Sequence, residues 1–152
     1  DGGATWKQVT IPVPDGYEQA ELNALAPRFV NSSTAFLPVT VSSQNGVMLA
    51  VYVSRDGGNT WALTPTMIPQ GGQPDFVNGK DGFVWNGSDF YITHDGAQTW
   101  TTVTPDVKFT DDFAGMDFVG PTTGWVITNN AGANHGLYMT TDGGATWNAL
   151  PR

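Results

Sequence analysis

Cysteine is absent from this chain of 152 residues, which excludes a disulfide framework and thiol chemistry. Basic residues are scarce, six against fourteen acidic ones, for a formal charge of −8. Nucleic acid and anionic membrane surfaces need basic patches, so neither is an expected partner. Glutamate occurs only at Glu18 and Glu21, and histidine only at His94 and His135. The two histidines lack partners at ligand spacing, and the Asp-rich turns lack EF-hand spacing, so no metal and no cofactor are expected. No apolar run reaches the length of a membrane span.

What the chain does have is one phrase written four times. It reads Asp1-Gly2-Gly3-Ala4-Thr5-Trp6, Asp56-Gly57-Gly58-Asn59-Thr60-Trp61, Asp95-Gly96-Ala97-Gln98-Thr99-Trp100 and Asp142-Gly143-Gly144-Ala145-Thr146-Trp147. Ser54, Thr93 and Thr140 stand two places before the last three aspartates. Alternating β-formers precede each phrase and a second extended run follows it, which is the signature of a hairpin turn. The aspartate can accept N–H groups of its own turn. Glycine supplies positive φ, and the tryptophan pins the hairpin to a core. Asp95-Gly96-Ala97 lacks the second glycine, so a more strained or differently shaped turn is expected there.

A second element recurs upstream. Phe29-Val30 is followed by Phe36, Phe76-Val77 by Phe83, and Phe118-Val119 by Trp125, each seven residues on. Turn-forming residues fill the gaps. Each unit then holds four short strands, and the Phe-Val elements repeat at 47 and 42 residues. Four strands in such a unit make the blade of a β-propeller. The sequence predicts an all-β propeller segment of four-stranded antiparallel blades. Residues 1–11 are an outer strand of an incomplete blade and 12–26 a connection. Residues 27–66, 67–105 and 106–152 are three complete blades.

The phrases resemble the Asp-box, also called the BNR repeat, Ser/Thr-x-Asp-x-Gly-x-Thr-Trp. The unit from Asp117 to Trp147 is similar to the photosystem II stability factor (YCF48-like) propellers. Sortilin-type receptors, sialidases and xyloglucan-cleaving hydrolases share the box. The resemblance implies that the box lies between the third and fourth strands, remote from the ligand face. Asp1, Thr5, Trp6, Ser54, Asp56, Gly58, Thr60, Trp61, Thr93, Asp95, Thr99, Trp100, Thr140, Asp142, Gly144, Thr146 and Trp147 are therefore structural, not catalytic.

Three blades and one extra strand do not close a ring, and open edges invite pairing. The expectation is a piece of a larger propeller, with the remaining blades from an upstream chain or a second copy. Residues 5–10 should then be the outer strand of a blade whose inner strands come from elsewhere. Residues 17–25 suggest two helical turns capped by Asp15. Asp111 and Asp112 enter the third blade where ligand faces are built. Trp85 is out of register with Phe36, Phe83 and Trp125, and is read as an exposed contact. Sialidase chemistry needs an arginine cluster and a Tyr–Glu pair, for which Arg28, Arg55 and Arg152 do not suffice. The sequence thus points to a non-catalytic binding or assembly module for a protein or polysaccharide, extracellular, at the cell surface or periplasmic. The alternatives are part of a secreted glycoside hydrolase and a surface-layer or filament component.

Overall fold

Strands account for every regular element in the computed structural model, which describes residues 3–109, 113–130 and 134–151. They form three antiparallel sheets in sequence order. In the first, β3 (Ala35–Ser43) and β4 (Gly46–Ser54) form a hairpin of two nine-residue strands at the centre. β1 (Glu21–Ala24) and β2 (Arg28–Phe29) both pair with β3. β5 (Ala62–Leu63) and β6 (Ile68–Pro69) both pair with β4. Each outer pair is one interrupted strand, and the interruptions contain Pro27 and Pro65, which have no N–H to give a ladder. The second sheet runs β7 (Gln73–Phe76), β8 (Gly82–Trp85), β9 (Phe90–Thr93) and β10 (Thr101–Val103). The third runs β11 (Phe113–Phe118), β12 (Gly124–Asn130), β13 (Asn134–Thr140) and β14 (Asn148–Ala149).

The first sheet begins at Glu21, inside the stretch read as a connection, and the helical reading of residues 17–25 is corrected. The chain turns twice, Tyr17 N–H to the Pro14 carbonyl and Ala20 N–H to the Tyr17 carbonyl. It then pairs Glu21–Ala24 with Ser42–Val39. The long β3 offers an open row of backbone groups there, and filling it outweighs a weak local helix preference. Residues 6–14 form no regular element, and Trp6 is 90% exposed.

The three complete boxes close in one way. Ser54, Thr93 or Thr140 donates its hydroxyl to the box carboxylate at 2.9 Å. The same hydroxyl accepts the N–H of Gly58, Ala97 or Gly144. Asp56, Asp95 and Asp142 each accept both the N–H and the hydroxyl of Thr60, Thr99 or Thr146. The threonine hydroxyl first, and its N–H next, hold each of these carboxyls down to about 2. The box is also joined to its own blade's first turn. Gly57, Gly96 and Gly143 donate to the carbonyls of Ser33, Lys80 and Thr122, each at 2.9 Å. Trp147 is buried, whereas Trp61 and Trp100 are only half-buried.

Ala97 keeps the shape of the box turn instead of changing it. Its φ is +66°, in the left-handed region that Gly58 and Gly144 occupy at +89° and +96°. Trp61 and Trp147 donate Nε1–H to the carbonyls of Gly58 and Gly144, but the buried Trp100 Nε1 has no such partner. Ala97→Gly should relieve about 1–2 kcal/mol of backbone strain and allow a hydrogen bond worth about 1 kcal/mol. Against that stand a buried methyl of about 0.8 kcal/mol and added chain entropy of about 0.4–1 kcal/mol. A gain of about 1 kcal/mol is expected in urea unfolding. A loss of that size would contradict the strain assignment.

Alternate residues on a blade's second and third strands pack against the next blade, chiefly its first-strand phenylalanine and its box. Phe36, Val51 and Val53 of the first blade meet Phe76, Ala97 and Trp100 of the second. Phe83, Trp85, Phe90 and Ile92 of the second meet Phe118, Val126 and Trp147 of the third. Phe76 stacks on Phe36 at 4.1 Å and 6°, and Phe118 on Phe83 at 3.5 Å and 8°. The inner strands are stitched by Asp75, whose Oδ2 accepts the Phe118 N–H at 2.6 Å.

Candidate functional site

A groove of about 910 Å³ opens between the second and third blades. It lies where β7 and β11 begin, at the β8–β9 turn and at the exit of β10. The boxes and the first turns joined to them lie at the opposite ends of the same strands. The groove therefore occupies the loop end that the boxes leave free.

Its floor is apolar. Trp85 stacks on Phe113 at 5.4 Å and meets Phe109 edge-on at 5.8 Å. Val107 and Phe109 come from the connection that leaves the second blade, and Phe109 wedges between the blades against Phe90 and Tyr138. The rim is polar and fixed by its own turn. Asn86 Oδ1 accepts the N–H groups of Ser88 and Asp89 at 3.1 and 2.9 Å. Asp89 in turn accepts the hydroxyls of Thr104 and Ser88. Gln73 and Lys108 complete the rim as exposed side chains. A preformed apolar floor with a few oriented polar groups is the general form of a recognition site.

Trp85 is in this groove but is not the exposed platform that its sequence position suggested. It is 5% exposed. It stands two residues after Phe83 on β8, hence on the same face of the strand, and the third blade covers that face. Only part of its surface lines the groove floor. Asp1, Asp111 and Asp112 lie outside the described residues, though Phe109 and Phe113 on either side of the last two line the groove. The box aspartates do not converge; each is consumed by its own turn. Asp89 is the only carboxylate among the described lining residues. No group of three His, Cys, Asp or Glu suited to a metal occurs among the described residues. His94 Nδ1 instead sits 2.7 Å from Asp81 Oδ1.

The sequence reading missed Gln73, Thr104, Lys108 and Phe109. The available signal was Val107 and Phe109, two large apolar residues in a connection otherwise rich in Thr, Pro, Asp and Lys.

Comparison with known proteins agrees with the architecture. A family model described as Sortilin-Vps10, "Sortilin, neurotensin receptor 3", matches residues 49–152. A solved structure titled "YCF48 bound to D1 peptide" matches at 24% identity and a TM-score of 0.56. The match covers 93% of this chain and 45% of that one, so the chain spans less than half the length of that structure. The likeness shows a common fold. No curated protein matches.

Proposed function

The chain belongs to the Sortilin-Vps10 family, and from that premise we propose that it is a non-catalytic propeller binding module. Its partner is a protein, and the groove between the second and third blades takes an extended peptide segment of it. The observation that carries this reading is the groove itself, with an aromatic floor for an apolar side chain and a rim locked by Asn86 and Asp89. A rim that is already ordered loses little conformational freedom on binding. The one solved neighbour named above has a peptide bound, which is in keeping with this reading. The surplus of acidic residues favours a neutral or basic partner. Its low share of charged residues, with plentiful glycine, threonine and aromatics, suits an extracellular, cell-surface or periplasmic setting.

A random dodecapeptide library panned on the immobilised chain tests the proposal. Selected peptides should carry an aromatic or aliphatic anchor. Gln73→Trp and Ser88→Trp, which crowd the rim, should weaken them roughly tenfold or more, about 1.4 kcal/mol. Asn59→Trp, on the exposed box turn of the first blade, should leave binding unchanged. Binding that survives both rim substitutions overturns the assignment. So does a chain that enriches no peptide yet is retarded by xyloglucan in affinity electrophoresis.

A further inference from the structure

Two opposite charges stand on the rim of the groove, Asp89 and Lys108. They are held very differently. Lys108 is exposed, with no hydrogen bond or ion pair. An ammonium on a free four-carbon stem must lose rotamer freedom to make any one contact, and such exposed pairs contribute only about 0–1 kcal/mol. Asp89 is half-buried and tied on several sides. Its N–H donates to Asn86 Oδ1 at 2.9 Å, and its carbonyl accepts the Asn86 N–H at 3.2 Å. Its Oδ2 accepts the Ser88 hydroxyl at 2.8 Å, and its Oδ1 accepts the hydroxyl of Thr104. The carboxylate is thus fixed both to its own turn and to the exit of β10. Of the two charges, the fixed one discriminates between ligands.

That carboxylate is also short of partners. Two ionised oxygens offer about four acceptor sites. The two hydroxyls take one on each oxygen and leave one on each. Hydroxyl donors orient the charge without cancelling it. Other aspartates are better supplied. The box carboxylates take the donors of their own turns, Asp75 feels Arg28, and Asp81 has His94 at 2.7 Å. Among the described residues no cation pairs with Asp89.

The apolar floor adjoins this charge. Asp89 precedes Phe90, the register partner of Trp85, and Trp85 stacks on Phe113. A charge at the edge of an apolar surface is less screened than one fully in water, so it rewards an opposite charge more and rejects a like one more.

We propose that Asp89 is the specificity-determining residue of the groove and selects a peptide with an arginine within two positions of its apolar anchor. The anchor lies on the floor of Trp85, Phe109 and Phe113. The guanidinium donates two parallel N–H bonds, one to each Asp89 oxygen, which is the fork that two neighbouring free acceptor sites fit. Lysine offers a point charge and cannot make the paired bonds. An extended segment advances about 3.3 Å per residue, so one or two residues span from the floor to the adjoining rim. This inference rests on the reading of the groove as a peptide site and adds the chemistry that the site reads.

Dodecapeptides selected on the wild-type chain should carry arginine beside the anchor. One such peptide is then compared with its citrulline counterpart, which keeps the shape and loses the charge, by fluorescence polarisation. The wild type should prefer the arginine form roughly tenfold or more, as for a lost charge-assisted hydrogen bond. Asp89→Asn, which keeps the size of the side chain, should bind the two forms alike. Asp15→Asn removes an equal charge from the exposed chain before the first sheet and should leave the preference as it is. The wild type gives a second reading that needs no variant: added salt should shrink the preference, because it screens arginine and not citrulline. Selected peptides without arginine near the anchor, a preference that survives Asp89→Asn, or one that ignores salt would each overturn the proposal. If Gln73→Trp still weakens those same peptides, the groove stands and only the role of Asp89 falls. If neither Gln73→Trp nor Ser88→Trp affects them, the groove reading fails and this inference fails with it.

Discussion

Phe118→Ala is expected to lose about 3–5 kcal/mol of stability, a large share of the roughly 5–15 kcal/mol that holds a domain together. The ring is 3% exposed and stacks on Phe83. It also meets Phe90 and Trp147 edge-on, at 6.3 and 6.1 Å. Its own blade leaves room for it with glycine: a Cβ on Gly124 would come within 2.4 Å of the ring. The void left by alanine is walled by two hydrogen-bonded sheets, which cannot close over it, so the cavity cost is felt in full. Aromatic pairing adds about 0.5–1.5 kcal/mol. Differential scanning calorimetry should show a midpoint roughly 10 °C lower or more. Since Phe118 joins the third blade to the second, a separate early transition for residues after 113 is expected. A loss under about 1 kcal/mol would show that this joint does not govern stability. Phe118→Leu, which keeps most of the volume, should lose distinctly less.

Acid should weaken all three complete boxes together. The carboxyls of Asp56, Asp95 and Asp142 are held at about 2, against an ordinary value of 3.8, by the threonine hydroxyl first and its N–H second. A depressed acid contributes stability that is fully present above its unfolded value and lost as pH falls through the folded one. The window is therefore from about pH 4 down to about pH 2. Asp75 acts the other way: burial pushes its carboxyl up, so its protonation on the way down favours the fold. Glu18 and Asp81 are lowered as well, so one group stands against five, and the net direction is loss. Thermal midpoints measured from pH 5 to pH 2 should fall most steeply within that window. Asp142→Asn should lower stability at pH 5 by about 1–2 kcal/mol, for hydrogen bonds at an exposed turn. The difference from wild type should shrink toward pH 2, where the native Asp142 becomes protonated as well. A difference that stays constant with pH would remove the carboxylate from the account of the box.

The amino-acid sequence by itself determined the turns and the repeat. Every contact that defines a box joins residues two to four apart, such as Ser54 with Asp56 and Asp142 with Thr146. Chemistry on that scale is set by residue type and spacing, so the phrase could be read directly. The Phe-to-aromatic spacing likewise placed the first two strands of each blade, because the turn between them is local. Trp85, Ala97 and residues 21–24 were decided elsewhere. Trp85 looked exposed because its register differs from that of Trp125, yet its neighbours Phe109 and Phe113 lie 24 and 28 residues further along the chain. Ala97 holds a glycine conformation because the box hydrogen bonds and the packing of the blades outweigh its local strain. Residues 21–24 became a strand because β3, which begins only at Ala35, had an edge to fill. The groove belongs to the same class. Trp85 and Phe113 meet only when two blades stack, and no local pattern in the chain records which segments that stacking brings together.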